Sequence, residues 1–201
     1  IRETLETLEN KGFLAYLVGG CVRDLILNKE PKDWDITTDA RPEKIAELFP
    51  KTVYENDFGT VTVINEGEED MCWRNIEITP FRLESDYTDK RHPDQVKFSL
   101  KLEDDLARRD FTINALAWNL KGQIFDLYGG VADLKERIIK TVGKPDDRFK
   151  EDALRILRAV RLAAQLGFTI NTETEKSITE NADLLKLVSM ERIRDEFVKT
   201  I

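Results

Sequence analysis

Only one histidine, two cysteines and two methionines occur in the 201 residues. Cys21 and Cys72 stand far apart, without C-x-x-C spacing, and only His92 could join them, so a zinc site has too few ligands. A disulfide between the two stays open as the lesser alternative. No apolar run approaches the roughly 20 residues of a membrane-spanning helix, and no basic-then-apolar start resembles a secretory leader. We therefore expect a soluble, cytoplasmic protein with no membrane partner. A positive charge balance is also lacking. The net charge of −8 argues against a general nucleic-acid coat, which needs a basic footprint.

What is there is an uneven distribution. Arginines gather at Arg108, Arg109, Arg148, Arg155, Arg158 and Arg161, while acids crowd the loops and the amino-terminal helix. That asymmetry permits one basic cleft on an acidic body. With 41% apolar residues the chain can bury one core plus a smaller helical annex. It starts on Ile1 and stops in an unpunctuated helical pattern at Ile201, from which we expect a piece of a longer protein. The oligomeric state stays open.

Periodicity predicts a helix carrying Ile1, Leu5 and Leu8 and closed by Gly12, then a strand over 13–18 broken by Gly19 and Gly20. Helical turns over 21–28 precede a strand over 33–37, and Pro42 opens a helix to Leu48. Strands follow at 52–54, 59–64 and 73–82. Residues 83–95 read as an exposed, mobile connection. A helix is expected over 103–118, a strand over 123–127, a helix after Gly129-Gly130 and a strand over 138–142. Residues 149–166 read as one amphipathic helix ended by Gly167, followed by two helices with Asn171 and Ser189 as N-caps. The expected fold is α+β, with a mixed, largely antiparallel sheet flanked by helices over 1–142 and an all-helical neck over 143–201.

Asp33 and Asp35 are two apart on a strand, so both carboxylates leave the same face while Trp34 and Ile36 turn to the core. Two such groups repel unless a divalent cation neutralises them, and all-oxygen ligation favours Mg2+. Phosphoryl transfer is the chemistry such a pair serves, with two ions acting on the attacking and leaving oxygens. Alone, the pair is as readily the solvated face of an edge strand. Upstream, however, Leu17-Val18-Gly19-Gly20 runs a strand into a glycine turn whose N–H groups suit phosphate oxygens, and Arg23 follows one turn on. A third carboxylate could come from Glu77, between Ile76 and Ile78.

The run Leu17 to Leu25 with Asp33-Trp34-Asp35-Ile36-Thr37-Thr38 resembles the first motif of class II tRNA nucleotidyltransferases, the CCA-adding enzymes. Arg108-Arg109-Asp110-Phe111-Thr112-Ile113-Asn114-Ala115 resembles the family's ribose and triphosphate motif, and Glu151-Asp152-Ala153-Leu154-Arg155 its nucleotide-template motif. The resemblance spans roughly residues 13 to 168 and implies a nucleotidyltransferase head joined to a helical neck. It makes Asp33 and Asp35 the metal ligands and puts Gly19, Gly20, Arg23 and Arg109 at the nucleotide's phosphates. Asp110 would meet the ribose, Asn114 would orient it, and Arg158 and Arg161 would hold triphosphate. A solvated helix face is the plain reading of those last arginines. Asp152 and Arg155, three apart, would present an acceptor beside a donor fork on one helix face. Cytosine and adenine offer the complement, an amino donor beside a ring-nitrogen acceptor, while uracil and guanine offer the reverse.

Asp57-Phe58-Gly59-Thr60-Val61 resembles the CCA-adding type and lacks the basic stretch of bacterial poly(A) polymerases, and residues 86–98 resemble the flexible element whose loss marks CC-adding enzymes. His92 in that element reads as structural. The expected activity is thus CTP- and ATP-dependent addition of CCA to tRNA 3′ ends. An A-adding enzyme or a poly(A) polymerase shares the chemistry, and a non-catalytic RNA-binding module is the alternative of another class.

Overall fold

The computed structural model describes residues 1–55, 59–85 and 95–200. Helix α1 (Arg2–Asn10) leads to strand β1 (Ala15–Val18), helix α2 (Gly20–Ile26), strand β2 (Trp34–Thr38) and helix α3 (Pro42–Leu48). Strands β3 (Thr52–Glu55) and β4 (Thr60–Ile64) follow, and the single turn α4 (Met71–Arg74) enters β5 (Asn75–Pro80). Next come the hairpin β6 (Arg82–Ser85) and β7 (Gln95–Phe98), α5 (Leu102–Ala107), β8 (Leu116–Trp118) and β9 (Ile124–Asp126). Helix α6 (Gly130–Glu136) and β10 (Ile138–Ile139) precede α7 (Pro145–Glu151), α8 (Leu154–Leu166), β11 (Thr169–Ile170), α9 (Thr172–Asn181) and α10 (Met190–Val198).

Seven strands form one sheet in the order β3-β4-β5-β2-β1-β8-β9. Its junctions are antiparallel except β2–β5, which is parallel. This is the α+β architecture expected, a mixed and largely antiparallel sheet flanked by helices and followed by a helical neck. Strand alternation sorts the faces. Trp34, Ile36, Val61, Val63, Ile76 and Ile78 turn into the main core, against Leu5 and Leu8 of α1, Cys21 and Val22 of α2 and Ile45 of α3. Each such side chain, buried, stabilises by roughly 1.5–3 kcal/mol. Asp35 and Glu77 alternate with them and so leave the opposite face. At β1 and β8 that second face is closed by a smaller cluster of Val18, Phe81, Leu102, Leu106 and Ala117.

The core continues past residue 142. Ala159 and Leu162 of α8 belong to the same cluster as Ile36. Strands β10 and β11 pair in parallel, with Thr169 and Asn171 N–H groups donating to the Arg137 and Ile139 carbonyls, each at 2.9 Å. The neck is therefore helical apart from one two-residue strand.

Three local expectations need correction. The helix expected over 103–118 stops at Ala107, and Leu116–Trp118 is instead an inner strand between β1 and β9. Asp110 accepts its neighbour Phe111 N–H at 2.8 Å, breaking the helix, and full burial of Leu116 and Ala117 in the sheet overrides helical propensity. The helix expected over 149–166 is broken at Asp152, whose backbone is extended (φ −142°, ψ 106°) and whose carboxylate caps α8 by accepting Leu154 N–H at 3.0 Å. Finally, the connection at 83–95 begins and ends in the paired strands β6 and β7. Residues 86–94, with His92, and Asp57-Phe58 lie outside the described residues. Gly59 anchors the hairpin: a Cβ there would stand 2.7 Å from the Phe98 ring, on which the Arg41 guanidinium stacks at 4.9 Å.

Candidate active site

Gly19 holds φ at +83°, the left-handed region that side chains disfavour. Space excludes them too. A Cβ at Gly19 would lie 2.9 Å from Arg109 Nη1 and 3.5 Å from the Asp35 carboxylate, and one at Gly20 would lie 3.9 Å from Asp33 Oδ1. The glycine turn is thus wedged against the carboxylate pair. Asp33 immediately precedes β2 and Asp35 sits within it. Both line one cleft of about 850 Å³, with Gly20, Arg23, Asn114, Arg158 and Arg161. Glu77, the register partner of Asp35 across the parallel junction, lines it as well.

The charge on this wall is strained. Burial raises the Asp35 carboxyl, Arg109 draws it back, Asp33 and Glu77 push it up again, and the balance lies at about 7. A bound cation would relieve that repulsion, so the donors fit one chemically. Among the described residues no group of three or more His, Cys, Asp or Glu side chains closes into a cage. An open carboxylate pair leaves positions for water and phosphate oxygens, the coordination Mg2+ prefers.

One polar chain links the first two motifs to Arg158 of α8. Arg23 donates through Nε to Asp24 and through Nη1 to Asn114, both at 2.8 Å. Asn114 Nδ2 donates to Asp110 at 3.2 Å, and Asp110's other oxygen takes Arg158 Nε and Nη2 at 2.8 and 2.6 Å. Burial alone would raise the Asp110 carboxyl, but Arg158 and Arg155 outweigh it and hold it at about 2. Asp110 stands behind the cleft wall, with both oxygens taken by protein donors. Arg161 Nε donates to the buried Glu196 of α10 at 2.6 Å.

Asp152 and Arg155 do not share a helix face. Asp152 takes both Nη atoms of Arg192 at 3.3 and 2.9 Å. Arg155 is buried, with Nη1 on Glu151 at 2.6 Å and Nη2 on the Arg108 carbonyl at 3.2 Å. Sequence reasoning missed Arg192 and Glu196, which hold these groups from α10, and Asp105, which holds Arg108 and Arg109. For Asp105 a signal existed, since it lies three and four residues before the two arginines. Arg192 and Glu196 meet their partners across 35 to 40 residues of sequence, which spacing cannot reveal.

Residues 15–140 match the family described as "Poly A polymerase head domain", and residues 167–201 one described as "Probable RNA and SrmB- binding site of polymerase A". A CCA-adding enzyme of Lactobacillus helveticus is 55% identical over 196 residues, covering 97% of this chain and 48% of that protein. The chain thus spans about half the length of the curated relatives it matches. A crystal structure of the Bacillus stearothermophilus CCA-adding enzyme in complex with CTP aligns with a TM-score of 0.88 at 42% identity, over 99% of this chain and 47% of that one. The Thermotoga maritima CCA-adding enzyme complexed with tRNA aligns at 0.80 and 30% identity, over 99% and 45%. With the head-domain match covering most of the chain, from the glycine turn through both carboxylates to β10, this protein belongs to the class II tRNA nucleotidyltransferase and poly(A) polymerase family.

Proposed function

We propose that this chain is the catalytic part of a cytoplasmic CCA-adding tRNA nucleotidyltransferase, joining CMP and AMP from CTP and ATP to the tRNA 3′ end and releasing pyrophosphate. The observation that carries it is the gathering of Asp33, Asp35, Glu77, Arg23, Arg158 and Arg161 around one cleft at a glycine turn. Asp33 and Asp35 would hold Mg2+, with Glu77 as a third carboxylate. Bound there, the metal supplies a lowered pKa for the attacking hydroxyl and countercharge for the leaving pyrophosphate.

The chain's own residues do the rest. Gly19 and Gly20 bring backbone close to the triphosphate, and Arg23, Arg109, Arg158 and Arg161 neutralise it. Asn114 and Asp110 hold Arg23 and Arg158 apart at a fixed distance, which is how they orient nucleotide and ribose. The terminal 3′ oxygen then attacks the α-phosphorus in line, the bond to the β-phosphate oxygen breaks, and pyrophosphate carries off that electron pair.

We assign catalysis to residues 1–142 and base selection to 143–201. Asp152 would exchange Arg192 for the exocyclic amino group of C or A. Arg155 would leave Glu151 and turn out from its buried position to donate to the ring nitrogen, a rearrangement that brings together two groups now held apart. A uracil or guanine leaves these groups unpaired, at roughly 1–3 kcal/mol each.

The test supplies the full-length protein with Mg2+, labelled CTP or ATP, and tRNA transcripts ending before CCA, after C or after CC. Two additions of C and one of A, with UTP and GTP refused, are expected. Addition of A alone to the CC-ending transcript would make it an A-adding enzyme, and A-tailing of any RNA a poly(A) polymerase. No incorporation would leave an RNA-binding module.

A further inference from the structure

Asp105 lies near the end of α5 with its side chain fully enclosed. An enclosed carboxylate is costly unless its oxygens meet cations. Both do. Oδ1 accepts from Arg108 Nε at 2.9 Å and Nη2 at 2.6 Å, and Oδ2 from Arg109 Nε at 3.3 Å and Nη2 at 3.0 Å. Desolvation raises the carboxyl, and the two guanidiniums override it, holding it below the usual range.

For Arg109 the grip is directional. Asp105 engages the Nε–Nη2 edge, and the remaining Nη1 is turned to Gly19, 2.9 Å from where a Cβ would sit and on the side of Asp35. A planar guanidinium held along one edge cannot swing the other. We infer that Asp105 is a positioning residue for nucleotidyl transfer, fixing Arg109 so that Nη1 stays at the Gly19–Asp35 corner and meets the phosphates of the incoming nucleotide. The inference rests on the proposed function and adds a residue that none of the three motifs contains. Arg108 is the internal comparison: it shares Asp105, but its carbonyl accepts from Arg155, and among the described residues only Arg109 and Asp35 come within 4 Å of a Cβ at Gly19.

The test is steady-state kinetics of the full-length protein, varying CTP at saturating tRNA and then the reverse. Asp105→Asn and Arg109→Gln should each raise the KM for CTP about tenfold and leave the KM for tRNA within about twofold. The double variant should be no worse than the worse single one, because both act through one guanidinium. Losses that multiply, or a KM for tRNA that moves equally, overturn the inference while the parent's activity keeps the proposed function standing. A parent that incorporates nothing overturns both. Should Asp105→Asn fail to fold, Asp105→Glu keeps the charge and both ion pairs one methylene further out. It should raise the KM for CTP while the protein stays folded by circular dichroism at the assay temperature, and a parental KM would overturn the inference.

Discussion

Asp35 and Glu77 stand side by side in register at the parallel junction of the sheet, and the carboxyl of Asp35 is raised to about 7. An unfolded aspartate titrates near about 3.9. Between those values the folded, metal-free chain binds a proton that the unfolded chain does not, so stability falls as pH rises through that window. Asp35→Asn removes the penalty. At pH 8 in chelator its melting temperature should exceed the parent's by several degrees, at roughly 2–4 °C per kcal/mol for a domain of this size, while nucleotide incorporation is lost. A variant no more stable than the parent at pH 8 would sink this.

The same carboxyl couples cation binding to pH. Below about 7 the proton competes with the metal, so Mg2+ affinity should weaken as pH falls from 8 to 6 and binding should release on the order of one proton. Calorimetry in two buffers of different ionisation enthalpy measures that release. A heat independent of buffer speaks against it.

Asp110 and Arg158 make the opposite case. The Asp110 carboxyl, held at about 2, contributes stability that is present above the unfolded value and lost as pH falls from about 4 through 2. Removing one partner of a buried pair costs roughly 3–5 kcal/mol. Arg158 keeps 36% of its side chain exposed, so about 2 kcal/mol is expected for Arg158→Ala at pH 7. Urea unfolding should show the gap between parent and variant narrowing as pH drops from 4 toward 2. A gap constant with pH would mean the pair is not its source.

Gly130 and Gly143 separate steric from conformational cost. A Cβ at Gly130 would lie 2.2 Å from the Thr112 carbonyl oxygen, which is backbone and cannot yield, whereas nothing lies within 4 Å at Gly143. Gly143→Ala should cost about 1 kcal/mol through its φ of +68° alone. Gly130→Ala should cost about 3 kcal/mol and also lower activity, because the Thr112–Asn114 turn it displaces carries the Asn114 partner of Arg23. Equal melting temperatures for the two variants would refute the contrast.

The carboxylate side of the cleft was legible because strand alternation is a local rule: Asp33, Asp35 and Glu77 are placed by their apolar neighbours Trp34, Ile36, Ile76 and Ile78. The glycine turn was legible because Gly19 and Gly20 break a strand just before a helix. Periodicity misled where a side chain captured a backbone N–H, at Asp110 and Asp152, because a continuous apolar pattern carries no trace of the break. The separation of Asp152 from Arg155 follows from that break and from Arg192, which reaches Asp152 across 40 residues. Leu116 and Ala117 were misread because an inner strand buried on both faces has no alternation to show.

The pairing of Ile138–Ile139 with Thr169–Ile170 sets an order of events during synthesis. Everything from residue 140 to 168, including both α7 and α8, must be made and looped back before these strands can meet. Closing such a loop costs on the order of 3 kcal/mol in chain entropy. Until the ribosome has released residue 171, the Arg137 and Ile139 carbonyls have no partner from β11, and β10 lacks its strand neighbour. The strand pairing that closes β10 therefore waits until the first turn of α9 has begun to emerge, well over a hundred residues after Asp33 and Asp35 are made.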